Sequence, residues 1–482
     1  MASETSPLLS REPTPSFPTI SAALARLGDR VNRVNIEDIC PRDVEDVCKD
    51  TAFCLIVLLE LRTRKLRQKP SSDIWNHWTQ MAVNANDANR LNDQIIDTWD
   101  LFLDEYRTSA EIEQVLWTSF PSTADSVHRF RVVDLLNADC PSQLICHDVV
   151  ILSLASLWKH GPSREASAQP NSTGIGSRYD AVCTPRVLHA IDLTTHLTYF
   201  GLLVSFVLHP PYEPVISHTR LEYIGPREIL LMLFSASILV RPWTLFNIPF
   251  AITLLIFLFN LPAVPFAGSA SFTILLLSFA FHAFQFHFPR PPSPLFILKL
   301  HRSLPFAGFL AHGFYDLVFP ITLFFLPIII LSTYWLSMAL SDTFFAPSGL
   351  IGLSTLPTPM ETRTTVLFMF FAVIAIISCS LFIFVVQGRD LEANASGWDA
   401  YSPTIGRAAR ASFAGAIVSY SSPYTFPAPF SLLQAVLIRG PSAILVDRLG
   451  FQLPFAQAEK ILWRICVGPV GLVFGLVMLP LP

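Results

Sequence analysis

The chain has 482 residues, 51% hydrophobic and only 15% charged, with a net charge of −4 and a mean hydropathy of +0.46. Ordinary soluble domains carry roughly 25% charged residues; here 19 basic and 25 acidic residues lie up to Arg186, about 24% of that stretch, and beyond it charge falls to about 9%. A single soluble globule, a secreted disulfide scaffold and a wholly disordered chain are excluded, and with no dominant basic stripe no nucleic-acid partner is expected.

Residues 1–18 read as a disordered tail rich in Ser, Pro and Thr, lacking the basic and apolar regions of a signal peptide. Glu4, Leu8 and Leu9 match the acidic dileucine pattern E-x-x-x-L-L, which cytosolic sorting adaptors read on proteins bound for vacuoles and other endomembranes. So short a pattern also arises by chance.

Residues 19–161 read as a cytosolic helical domain of net negative charge. Pro41 and Pro70 bracket a helix whose apolar run, Phe53–Leu59, is too short for a hydrocarbon core of roughly 30 Å and is expected to be buried in protein. Ser71, Ser72 and Asp73 offer N-caps for a second helix towards Arg107, with Ile74, Trp75, Trp78, Met81 and Ala82 at helical spacing. A third, from Pro141 to Lys159, carries Leu144, Ile151, Leu152, Ala155 and Trp158 on one face and Val150, Leu154 and Leu157 on others. The basic cluster Arg62, Arg64, Lys65, Arg67 and Lys69 suits either a solvated helix face or an anionic membrane surface. Cys40, Cys48, Cys54, Cys140, Cys146 and Cys183 form no C-x-x-C and no zinc spacing, so neither metal nor cofactor is expected. Residues 162–186 read as a linker.

Residues 187–388 hold six hydrophobic segments: Val187–Leu208, Ile229–Val240, Thr244–Val264, Ser271–Phe288, Asp316–Leu340 and Thr364–Gln387. The second is short, reaching only about 18 Å at helical rise, yet fusing it with the third would move Arg290, Lys299 and Arg302 to the outer side, against the positive-inside rule. The expected architecture is therefore all-α: a polytopic bundle of about six transmembrane helices, N-terminus cytosolic, with the lipid bilayer as its surroundings. Residues 389–482 add interfacial or membrane-associated helices; Phe430–Ile438 is short, and Gly471 and Gly475 have the spacing that lets helices approach closely.

Ionisable residues inside a span are costly and mark candidate sites. His189, Asp192 and His196 stand at i, i+3 and i+7, on one face of the first span. Two readings are open: a polar site for a cation or proton relay, or a structural hydrogen-bonded network. Asp316 opens the fifth segment as a cap candidate, and Pro320 and Pro327 can kink it. Neither G-x-S-x-G, H-E-x-x-H nor a phosphate loop is present, so an enzyme is not expected.

Six spans, a large helical N-terminal domain and a vacuolar-type address together resemble, in layout, the fungal vacuolar TRP-type calcium channels. The chain is also similar to uncharacterised multi-spanning membrane proteins common in fungi, which implies membrane residence. The channel resemblance implies a homo-tetramer with its pore between the last two spans. That loop, Ser341–Arg363, has Asp342 and Glu361 as its acidic residues, and neither stands mid-loop as a selectivity ring would. The fourth segment has no arginine, which excludes a charge-moving voltage sensor there. The alternatives are a non-conducting scaffold that binds lipids or partners and, third, a transporter.

Overall fold

A computed structural model describes residues 19–27, 39, 46–67, 74–123, 129–137, 139–161, 182–209, 224–242, 244–266, 269–286, 288–328, 330–331, 371, 374–375, 377–378, 396–421, 424–442 and 455–478. Glu4, Leu8, Leu9, Asp342, Glu361, most of the linker and most of the sixth segment lie outside the described residues. Within them the fold is all-helical apart from one pair of two-residue antiparallel strands, Phe120–Pro121 with Arg129–Phe130. The chain divides into two compact units: residues 1–286, 290–297 and 410–482 in one, and 287–289 with 298–409 in the other.

The first unit begins with α1 (Ile20–Leu27), α2 (Val47–Arg67), α3 (Ile74–Leu103), α4 (Ser109–Trp117), α5 (Ser142–Ile145) and α6 (Asp148–His160). Helix α2 is central. Phe53 to Leu59 is buried on every side because α1, α3, α4 and the turn at Val133–Leu135 all pack on it. This is the buried helix expected from its short apolar run, and each large side chain sequestered there contributes about 1.5–3 kcal/mol. Helix α4 starts at a capping box: Thr108 accepts from the Glu111 backbone, and the Glu111 carboxylate accepts from the Thr108 N–H.

Two expected faces differ. Helix α3 docks through Ala88, Leu91, Ile95, Trp99 and Phe102, while Trp78 and Met81 are 72% and 57% exposed. The buried contacts of this helix run from Ala88 onwards. In α6 the seam is Val150, Leu154, Leu157 and Trp158, and Leu152 is 68% exposed.

The same unit continues with α7 (Pro185–Leu208), α8 (Pro226–Leu239), α9 (Ile248–Asn260) and α10 (Ala270–Gln285). Thr184 caps α7 by accepting from the Val187 N–H, with Pro185 in the first turn. The four helices pack in succession around Tyr199, Leu203, Phe206, Leu231, Phe257 and Leu275. Helices α8 and α9 are separate, divided at Arg241 and Pro242. The unit closes with the second half of α13 (Pro403–Tyr420), then α14 (Phe430–Gln434), a π-helical turn at Ala435–Arg439, and α15 (Phe455–Met478). At Gly471 and Gly475 an added Cβ would strike Cys183 and Val182, so the glycine spacing does produce a close approach, to the residues that lead into α7.

The second unit contains α11 (Leu300–Gly313), a π-helical turn (Phe314–Val318) and α12 (Phe319–Phe324). The helix therefore starts at Leu300, and Asp316 lies inside it, paired with His312 at 2.7 Å, instead of capping a helix start. Pro320 has no N–H to donate to the carbonyl of Asp316 four residues back, and the π turn lies just before it, where the α-helical ladder cannot close. Pro320 and Pro327 are both exposed. Tyr401 stacks on Phe309 with centroids 4.7 Å apart.

Among the described residues three helices are long and apolar enough to cross a membrane: Pro185–Leu208, Leu300–Ile321 and Gln457–Met478. Leu245–Asn260 and Ala270–Ala283 are shorter apolar helices.

Candidate functional site

The buried seam of α7 repeats at three and four residues: His189, Asp192, His196, Tyr199, Leu203 and Phe206. This spacing keeps one stripe facing the same neighbours along the helix. Its upper part is polar, and a polar side chain buried without partners costs several kcal/mol. The tertiary structure supplies the partners from distant segments.

Asp192 receives the guanidinium of Arg241, Nη1 to Oδ2 at 3.1 Å and Nη2 to Oδ1 at 2.8 Å. The Tyr420 hydroxyl donates to Oδ2 at 3.0 Å. Arg241 also reaches the Phe426 carbonyl at 3.3 Å. Arg241 lies at the turn after α8, and α8 runs back alongside α7, so the cation returns to the level of Asp192. Burial alone would lower the basicity of Arg241; the Asp192 carboxylate more than offsets this and holds the guanidinium above its ordinary pKa. Burial, then the charge of Asp192, pushes the Tyr420 phenol well above its ordinary range.

The two histidines do different things. His189 Nε2 donates to the Ser293 carbonyl at 3.0 Å, and its ring sits among Trp158, Phe296 and Tyr420. His196 Nδ1 donates to the Asp192 backbone carbonyl at 2.8 Å, which leaves Nε2 with the lone pair in the neutral ring. A further relay runs beside them, from Ser235 Oγ to the Tyr199 hydroxyl at 3.4 Å, with His282 Nε2 3.3 Å from that hydroxyl.

Asp192, His196 and Arg241 also line a cavity of about 610 Å³, together with the rings of Phe200, Phe250 and Phe286. Arg290 lies over the Phe246 ring at 4.9 Å on the same wall. The size falls in the range of small-molecule and cofactor sites. Chemically, the wall offers the neutralised Asp192–Arg241 pair, further charges on Arg290, Arg439 and Glu459, the imidazoles of His196 and His282, and aromatic surface. It suits an amphiphile. Among the described residues no group of three or more His, Cys, Asp or Glu side chains gathers as metal ligands, and both Asp192 oxygens are already engaged.

The structure thus brings together His189, Asp192 and His196, with Asp192 and His196 on the cavity wall and His189 behind Tyr420. Asp316, Pro320 and Pro327 belong to the second unit. Arg241, Tyr420, Tyr199 and His282 join this site although none of them belongs to the His189, Asp192 and His196 pattern. The extension of the 3-4 spacing to Tyr199 was a usable signal; the others come from segments whose proximity no local pattern encodes. No family model matches this chain, and no curated protein matches it significantly.

Proposed function

We propose that the chain is a polytopic endomembrane protein acting as a TRP-like cation channel, with the cavity of the first unit as the place where an amphiphilic ligand acts on it. The observation carrying this reading is the division of the chain. The α7–α10 cluster with its cavity forms part of one compact unit, and the later candidate span with its π turn belongs to another. A π turn beside a proline interrupts the regular ladder, a feature suited to gating.

The test is the subunit number of the purified chain in lipid nanodiscs, followed by calcium flux into proteoliposomes. A tetramer with flux is expected. A monomer overturns conduction, because one copy of the last two spans cannot enclose a pore.

The cavity by itself favours a second reading, a non-conducting lipid-binding membrane protein. A monomer that retains co-purified lipid by native mass spectrometry would support it.

A further inference from the structure

The first turns of α3 are unlike a water-facing surface. From Ile74 to Asn86 the chain carries no Asp, Glu, Lys or Arg, yet Trp78, Met81 and Val83 are exposed, the last two at 57% each. The stretch contains Asn76, Asn84 and Asn86, and asparagine is a poor helix former. Helical turns so exposed and so poorly disposed to helix gain little from propensity, and most helical stability comes from packing of a face.

The adjacent end of α2 supplies the complementary signal. Arg64, Leu66 and Arg67 are exposed there, and the Lys65–Asp87 contact at 3.9 Å ties the two helices at this level. From Glu60 to Asp87 there are five basic residues and three acidic, with Glu60 3.3 Å from Arg64, a local excess of positive charge within a domain whose overall balance is negative. An uncharged helical face with tryptophan beside a local cationic cluster matches the interfacial zone of an anionic bilayer, where aromatic side chains sit at the headgroups and each nearby Lys or Arg adds about 1 kcal/mol.

We infer that the first turns of α3 and the last turn of α2 dock on an anionic lipid surface, with Trp78 and Met81 in the interface and Arg64 and Arg67 on the headgroups. The inference does not depend on whether the chain conducts.

The full chain is reconstituted into phosphatidylcholine vesicles with and without phosphatidylserine. The Trp78 share of the emission is taken as the difference between wild type and Trp78→Phe; Trp78 is exposed, so this variant retains the fold. With brominated phosphatidylserine most of the Trp78 share is expected to be quenched, and it is expected to be shielded from aqueous acrylamide. Arg64→Glu with Arg67→Glu, or added salt, should lower the lipid quenching several-fold. Full acrylamide access with no quenching by brominated lipid overturns the proposal. So does shielding that appears equally in uncharged detergent and rises with protein concentration, which would assign the face to a second copy of the chain.

Discussion

Arg241 and Asp192, 49 residues apart, meet through two parallel hydrogen bonds of 3.1 and 2.8 Å, the carboxylate being almost fully buried and the guanidinium about one quarter exposed. A buried pair is weak as a source of net stability but costly to break, because the survivor is left as an uncompensated charge. Arg241→Met and Asp192→Leu alone should each destabilise by about 3–5 kcal/mol. The double variant should recover most of that loss. Thermal unfolding in detergent checks the cycle, and strict additivity would show that the two groups do not act as a pair.

The cavity can be filled without touching this pair. Gly415 lies on the cavity wall, and an added Cβ there meets nothing within 4 Å. Gly415→Leu should therefore fold normally and reduce the amount of lipid that co-purifies. Native mass spectrometry against wild type checks it; unchanged lipid with an unchanged unfolding midpoint would show that the cavity is not where lipid is held.

Close approach at Gly471 is a packing requirement. A side chain there must displace Cys183 at the entry to α7, and overpacking of this kind costs about 1–3 kcal/mol. Gly471→Val should lower the unfolding midpoint and expose α15 to limited proteolysis. Gly471→Val with Cys183→Ala should regain part of the loss, since the opposing atom is a side-chain sulfur.

Two carboxylates of the N-terminal helices should respond to pH with opposite sign. The Thr108 backbone N–H, then its hydroxyl, holds the Glu111 carboxyl below its ordinary pKa. The stability this supplies is complete above about pH 4.3, the unfolded value, and is lost as pH falls through the lower folded value. Asp50 is raised by burial and then by Asp46. Its contribution is favourable below the unfolded value and is lost as pH rises through the folded one. In pH-resolved unfolding, the deficit of Glu111→Gln should shrink on acidification. Asp50→Asn should instead be more stable than wild type at neutral pH, and that gain should shrink on acidification.

Composition and period alone determined the all-helical class, the charge contrast near Arg186, the buried run Phe53–Leu59, the first span and the shared face of His189, Asp192 and His196. These are properties of neighbours along the chain: a helix of 3.6 residues per turn places them without reference to anything distant. The tertiary structure decided the rest. It placed Arg241, Tyr420 and Ser293 against that face, started the later helix at Leu300 instead of Asp316, and left Trp78 and Met81 exposed while Trp99 was buried. A helical stripe identifies which side chains must find partners. Which partners they find depends on how α8 returns beside α7 and how far α2 extends along α3, and those are set by packing between segments many residues apart.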